Sequence, residues 1–135
     1  IVQLFSEGKP KIIDKAPSGR IYVDGNISVG EESQSIKDRR NLSYNGFLEI
    51  TIIINDIGSI VKRPIISFKG IPNNGEESNF IFDLEDKIQD ICKTFSLKNN
   101  NQHQHLIEAL KTNCRKTVKE KTGKRPYTNV NLVRI

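Results

Sequence analysis

Residues 47–55 read FLEITIIIN, and this stretch decides the fold of the chain. Every second position holds a large aliphatic residue, namely Leu48, Ile50, Ile52 and Ile54. Glu49 and Thr51 fall between them and therefore point to the opposite side of an extended strand. This period of two predicts a β-strand with one face buried in a core.

A second strand is predicted to return beside the first. NDIG (55–58) has the composition of a turn, and SIVKRPIISFKG (59–70) is rich in β-branched residues, so together they predict a β-hairpin. Pro64 has no N–H group to donate to a sheet, and we therefore expect it at an edge or a bulge.

Two helices are predicted after the hairpin. From about Ser78, apolar residues recur at helical spacing: Phe80, Leu84, Ile88, Ile91 and Phe95. After a polar connection, LKNNNQHQH (97–105), a second helix has an apolar side formed by Leu106 or Ile107, Leu110, Cys114 and Val118. Gly123 is expected to cap this helix and Pro126 to stop it, and YTNVNLVRI (127–135) alternates as a final strand.

This order of elements predicts an α+β fold. A small three-stranded sheet, made of the hairpin and the C-terminal strand, is covered on one face by two helices. Residues 1–30 hold short extended pieces, which are expected to complete a neighbouring sheet, and residues 35–46 are polar and end in the turn pair Asn45-Gly46. Phe47, Ile53 and the arm 60–68 are expected to offer more apolar surface than two helices can cover.

The charge of the chain is unevenly distributed. Its net charge is +5, yet residues 111–135 hold eight basic side chains against Glu120 alone, and residues 76–90 hold six acids against Lys87. A domain that presents one positive face is therefore expected. No signal peptide or membrane-length apolar run is visible, which favours a cytoplasmic protein without membrane contact, and the lack of methionine suggests a piece of a longer protein.

Few residues have the pattern of a catalytic or metal site. His103 and His105 stand in an Asn/Gln-rich stretch without nearby acids or cysteines, so we expect no metal there. Cys92 and Cys114 fit neither a zinc site nor a disulfide framework and are expected to be reduced and packed. Because no glycine-rich phosphate loop or nucleophile elbow occurs either, no catalytic residue is assigned.

The basic residues are the remaining candidates for a binding site. The candidate RNA-binding residues are Arg39, Arg40, Lys121, Lys124 and Arg125. Each can contact a phosphate, but Tyr127 is the only aromatic residue after Phe95, so no stacking platform is expected beside them. On charge alone, an RNA contact and a solvent-exposed helix face both remain open.

Four further stretches of the chain are informative in combination: RIYVDGNISVG (20–30), IKDRRNLSYNGFLEITIIIN (36–55), GSIVKRPIISFKGI (58–71) and LKTNCRKTVKEKTGKRPYTNVNLVRI (110–135). In this order they resemble the C-terminal region of bacterial ribonuclease J, an RNA-processing enzyme of the metallo-β-lactamase/β-CASP superfamily. The family's zinc motif, of the form H-x-H-x-D-H, lies upstream in those proteins and does not occur in this chain.

The resemblance implies a non-catalytic accessory domain, residues 35–135, attached through a linker, residues 1–34, to a catalytic core that lies outside this chain. That core would hold zinc and cleave RNA as an exonuclease and an endonuclease. The accessory domain would support homo-oligomer formation and full activity. RNA would be a partner of the full-length enzyme. The alternatives are an RNA-binding module and a protein-recruitment domain whose acidic helix (83–90) or exposed sheet face meets a different protein.

Overall fold

The N-terminal strands pair with one another. Strand β1 (Val2–Gln3) runs antiparallel to β2 (Lys11–Ile12), and β3 (Ile21–Asp24) runs antiparallel to β4 (Ile27–Gly30). Each strand pairs within a local hairpin, and the expectation that these pieces complete a neighbouring sheet stays a prediction. The computed structural model describes residues 1–4, 6, 8–72, 77–98 and 100–135, and the side chains of 77–80 are not described.

A polar helix follows these hairpins. Helix α1 (Gln34–Asn45) was not predicted, because Ile36 is its only buried residue and its sequence therefore lacks an apolar stripe. The chain divides within this helix into two compact units, Ile1–Lys37 and Asp38–Ile135. The second unit holds the three-stranded sheet and the remaining helices.

The sheet of the second unit has a mixed topology. Strand β5 (Phe47–Ile54) lies in the centre, antiparallel to β6 (Ile65–Lys69) and parallel to β7 (Tyr127–Arg134). Burial alternates along β5 as predicted, with Leu48, Ile50, Ile52 and Ile54 all fully buried. The alternating aliphatic residues of FLEITIIIN are therefore those on the buried face of the central strand.

The return arm of the hairpin is interrupted. Ile60 forms an isolated bridge with Ile54, and regular pairing resumes only at Ile65, opposite Thr51. Between these two pairings the return arm covers five residue steps, from 60 to 65, while β5 covers three, from 54 to 51. The return arm therefore contains two extra residues. Pro64 lies in this bulge, as expected of a residue without a donor, and the predicted strand over 59–70 is shortened to β6.

Two helices cover one face of the sheet, as predicted. Helix α2 (Glu77–Lys93) places Leu84 and Ile88 in the core, and helix α3 (His103–Thr122) follows a 3-10 turn (Asn100–Gln102). The core residues that α3 contributes are Leu106, Leu110, Cys114 and Val118, all fully buried. Phe80, which we expected on the same face of α2, lies outside the described side chains.

Candidate functional site

The basic segment after α3 is a structural corner. Gly123 adopts a left-handed conformation, φ 75°, and its N–H donates to the Lys119 carbonyl at 2.8 Å, which ends the helix as predicted. Pro126 is fully buried, and β7 begins at the next residue. The chain therefore reverses direction between the helix and the strand within four residues.

This segment is bound to the C-terminal end of α1. The ammonium Nζ of Lys124 donates to the Tyr44 carbonyl at 2.7 Å, and the Arg125 N–H donates to Asn45 Oδ1 at 3.2 Å. The Tyr127 N–H donates to the Gly46 carbonyl at 3.0 Å. We call residues 41–47 together with residues 124–127 the basic corner.

The structure gathers most of the five candidate RNA-binding residues around this corner. Lys124 and Arg125 belong to it, while Arg39 and Arg40 are exposed on α1, whose last turn forms its other half. Lys121 differs, because its ammonium pairs with Asp83 of α2 at 2.9 Å. Four of the candidates are therefore carried by the two segments that meet at the corner, and the fifth links α3 to α2.

An aromatic pair lies within the basic corner. The Phe47 and Tyr127 rings stack with centroids 6.1 Å apart and planes 15° apart, because the two residues are register partners on parallel strands. We expected no stacking platform beside the basic residues because Tyr127 is the only aromatic residue after Phe95, and the structure adds Phe47 to Tyr127. Phe47 is also the register partner of Lys69 on β6, so a lysine, a phenylalanine and a tyrosine follow one another across the sheet.

A shallow cavity opens beside the aromatic pair. Its volume is about 170 Å³, and it is lined by Asp38, Asn41, Leu42, Phe47 and Tyr127. Sequence reasoning missed Phe47, Leu42 and Lys69 as site residues. Tyr127 and Phe47 are 80 residues apart in the chain, so only the parallel register of β5 and β7 brings them together.

A second groove lies at the opposite end of β5. Its volume is about 330 Å³, and it is lined by Ile60, Val61, Lys62, Arg63, Gln89 and Lys93. Arg63 lies 3.8 Å from the carboxylate of Glu85, and Lys93 lies 3.1 Å from that of Asp90. Of the three cationic residues that line this groove, Arg63 and Lys93 are thus paired with acidic side chains of α2.

The face of the sheet away from α2 and α3 is polar in its centre and apolar towards one end. Asn131 donates to Glu49 at 3.1 Å, and Asn129 donates to Asn131 at 3.3 Å. Beyond them lie the apolar side chains of Ile53, Ile65 and Val133, which we call the open apolar cluster. Of the residues expected to offer more apolar surface than two helices can cover, Ile53 and Ile65 lie at this apolar end, and Phe47 lies at the opposite end beside Tyr127.

The histidines and cysteines have structural surroundings. His103 begins α3 rather than lying in a loop, and its Nε2 is 3.1 Å from the Leu97 carbonyl. Side chains two apart on a helix diverge, so His103 and His105 cannot share a metal. In the part of the chain that the structure describes, no three His, Cys, Asp or Glu side chains are grouped to hold a metal ion.

The two thiols are free and buried, as expected. Burial raises the pKa of Cys92 to about 11, and burial together with the neighbouring Cys92 raises that of Cys114 to about 12. Because the thiolate is the reactive form, both thiols are unsuited to nucleophilic chemistry at neutral pH. Over the described residues, no helix is long and apolar enough to cross a membrane.

The fold and the corner define a class of protein, an α+β domain in which two helices pack on a three-stranded mixed sheet with a basic corner. Within that class, the chain belongs to the ribonuclease J C-terminal domain family, whose model matches residues 34–135. The resemblance found in the sequence is thereby confirmed.

Three proteins with related sequences agree with this assignment. Ribonuclease J of Sinorhizobium meliloti is 26% identical over 132 residues, a match that covers 97% of this chain and 23% of that protein. Ribonuclease J2 of Bacillus subtilis is 28% identical over 118 residues, covering 86% of this chain and 21% of that protein. Ribonuclease J of Corynebacterium glutamicum is 21% identical over 121 residues, covering 88% of this chain and 16% of that protein. The chain thus spans less than a quarter of the length of these relatives.

Proposed function

We propose that this chain is a non-catalytic C-terminal accessory domain of a ribonuclease J-like RNA-processing enzyme, in which it supports self-association and full activity. The family match over residues 34–135, to a domain that is a small part of its relatives, supports this proposal. Under this proposal the enzyme is cytoplasmic. A different part of it holds the zinc ions and carries out exonucleolytic and endonucleolytic cleavage. Among the described residues no zinc site is grouped, since His103 contacts a backbone carbonyl and both thiols are buried.

The observation that carries self-association is the open apolar cluster. Ile65 is 56% exposed and Val133 is 42% exposed, although both lie on the edge strands of a sheet whose central strand is fully buried on its other face. Two copies that place this end of the sheet against each other would remove apolar surface from water, at about 25 cal/mol per Å². A two-fold contact of this kind uses the same patch on both copies and closes as a dimer.

Charge placed on the cluster tests this proposal. The variants Ile65→Lys and Val133→Lys would bring like charges together across a two-fold contact, so we expect sedimentation velocity at micromolar concentration to show a shift towards monomer. The matched control is Phe82→Lys, which adds the same charge at a half-exposed apolar residue of α2, in the helix layer. Equal behaviour of all three variants and the unchanged chain would exclude the cluster as the contact.

A second candidate function is direct contact with RNA through Arg39, Arg40, Lys121, Lys124 and Arg125. The hydrogen bonds that bring Lys124 and Arg125 onto the end of α1 support it, because they concentrate positive charge in one region. Binding of single-stranded RNA through phosphates weakens steeply with salt, with a slope of about 0.7 for each phosphate neutralised.

Removal of single charges tests the RNA contact. We expect Arg125→Gln to lower the affinity and to reduce the salt slope by about 0.7, measured by fluorescence anisotropy with a labelled single-stranded RNA. Lys116→Gln is the matched control, because Lys116 is an exposed residue of α3 outside the corner. The same salt slope in both variants would refute a phosphate contact at Arg125.

A further inference from the structure

The cavity of the basic corner has the dimensions of a site for one small ring system. Its volume of about 170 Å³ is below the roughly 300–1,000 Å³ of pockets for drug-sized ligands. One wall is formed by the stacked pair of Phe47 and Tyr127, and the opposing helix α1 contributes Leu42. Tyr127 is 53% exposed and Leu42 is 41% exposed, so both present apolar surface to an incoming ligand.

The cavity also has groups that form hydrogen bonds. Asn45 Nδ2 donates to Asn41 Oδ1 at 2.7 Å, which orients the Asn41 amide and leaves its NH₂ group as a donor for a ligand. Asp38 also lines the cavity. A flat ligand with acceptors and donors on its edge can therefore be stacked and hydrogen-bonded at the same time.

The charges around the cavity determine where an anionic part of the ligand would lie. The Asp38 carboxylate repels a phosphate inside the cavity. Outside it, Lys69 is the register partner of Phe47 on β6. The backbone N–H of Arg125 donates to Asn45, whose amide donates to Asn41 of the cavity, so the exposed Arg125 is held near the cavity. A neutral ring inside and a phosphate outside is the arrangement that these charges favour.

We infer that the cavity lined by Leu42, Phe47 and Tyr127 binds one unstacked base of a single-stranded nucleic acid, while Lys69 and Arg125 hold the adjoining phosphate. Aromatic faces beside a basic groove are the features by which proteins bind single strands without base pairing. This inference deepens the RNA contact proposed above and rests on it, but it does not depend on self-association.

Binding of a single-stranded octanucleotide, compared with an abasic strand of the same length and charge, tests the inference. Removal of either the base or the aromatic side chain from a stacked pair lowers the affinity by roughly 5- to 150-fold. We therefore expect such a loss for the abasic strand and for Tyr127→Ala. Tyr127→Phe keeps the ring and should bind as the unchanged chain does.

The matched control is Phe82→Ala, which removes an aromatic residue that is 50% exposed on α2. If the abasic strand binds as tightly as the octanucleotide, or if Tyr127→Ala behaves as Phe82→Ala does, the inference is overturned and any contact involves phosphates alone. No binding at low salt would overturn it as well. Sedimentation of the same samples reports self-association separately, so its outcome is distinguishable.

A second measurement needs no substitution and therefore cannot be confounded by misfolding. Adenosine 5′-monophosphate and ribose 5-phosphate carry the same phosphate and differ in the base. We expect the nucleotide to shift the amide resonances of Asn41, Leu42 and Tyr127, and the sugar phosphate to leave Asn41 and Leu42 unshifted. Identical shifts from both compounds would contradict binding of the base.

Discussion

At the scale of single residues, Gly46 has the narrowest tolerance for a side chain. It joins α1 to β5 with φ +81°, and a Cβ there would meet the Lys69 carbonyl oxygen at 2.6 Å and the Gly70 carbonyl carbon at 2.8 Å. Both are backbone atoms of the neighbouring strand end, which cannot move without shifting β6. The corner therefore depends on a residue without a side chain.

We predict that Gly46→Ala lowers the free energy of unfolding by about 2–5 kcal/mol, the sum of left-handed backbone strain and overpacking. Gly123→Ala is the matched control, because Gly123 has φ +75° but nothing within 4 Å of a Cβ. It should lose only the strain, about 1–2 kcal/mol. Equal losses for the two variants in urea unfolding would contradict the close approach at Gly46.

The buried thiols predict a dependence of stability on pH. The pKa values of Cys92 and Cys114 are raised from 9.0 to about 11 and about 12, so between these values the unfolded chain loses protons that the folded chain keeps. Their contribution to stability is therefore complete below pH 9 and is lost as the pH rises towards 11–12. Each thiol contributes a slope of up to about 1.4 kcal/mol per pH unit in this window.

Urea unfolding at several pH values from 8 to 11 measures this slope. The double variant Cys92→Ala, Cys114→Ala is expected to be less stable at every pH, because cavities remain in the core. Its stability should nevertheless fall less steeply above pH 9, since it lacks the two thiols whose pKa values are raised. Parallel slopes would show that the thiols ionise freely in the folded chain.

At the scale of elements, the success of sequence reasoning depended on how fully one face is buried. β5 and α3 were predicted correctly because each contributes four fully buried side chains at a regular period. α1 was missed because a single buried residue, Ile36, produces no detectable period. The strand predicted over 59–70 was too long, because regular pairing begins only after the bulge at Pro64. The residues before β6 include the β-branched Ile60 and Val61, so composition does not reveal where the strand begins.

The candidate site was predictable only in part. The sequence identifies Lys124 and Arg125 by their charge, and Gly123 and Pro126 by their effect on a helix. It could not identify Phe47, Leu42 and Lys69, because their proximity to Tyr127 follows from strand register and from an unpredicted helix. Whether the five basic candidates contact RNA stays a prediction.

At the scale of the whole molecule, part of the basic C-terminal charge has structural partners. Lys111, Lys116 and Lys121 form ion pairs with Glu108, Glu120 and Asp83, and Arg134 donates to the Asp56 and Leu97 carbonyls. Exposed pairs of this kind contribute about 0–1 kcal/mol each. They reduce the net charge of the helical surface and so favour the basic corner as the positively charged region.

An accessory domain without catalytic groups should not cleave RNA. We expect no cleavage of labelled RNA by this chain, with or without added zinc, because the described residues hold no group of metal ligands. Activity that disappears on treatment with a chelator and returns with zinc would contradict this expectation.

The most direct test of the account is the molar mass of the chain in solution, measured by sedimentation equilibrium over a range of micromolar concentrations. One copy has a mass of 15.3 kDa. Self-association through the open apolar cluster predicts a mass of about 31 kDa for a two-fold contact, falling towards the single-copy value in Val133→Lys. A mass of 15.3 kDa at every concentration would contradict self-association as the task of this domain.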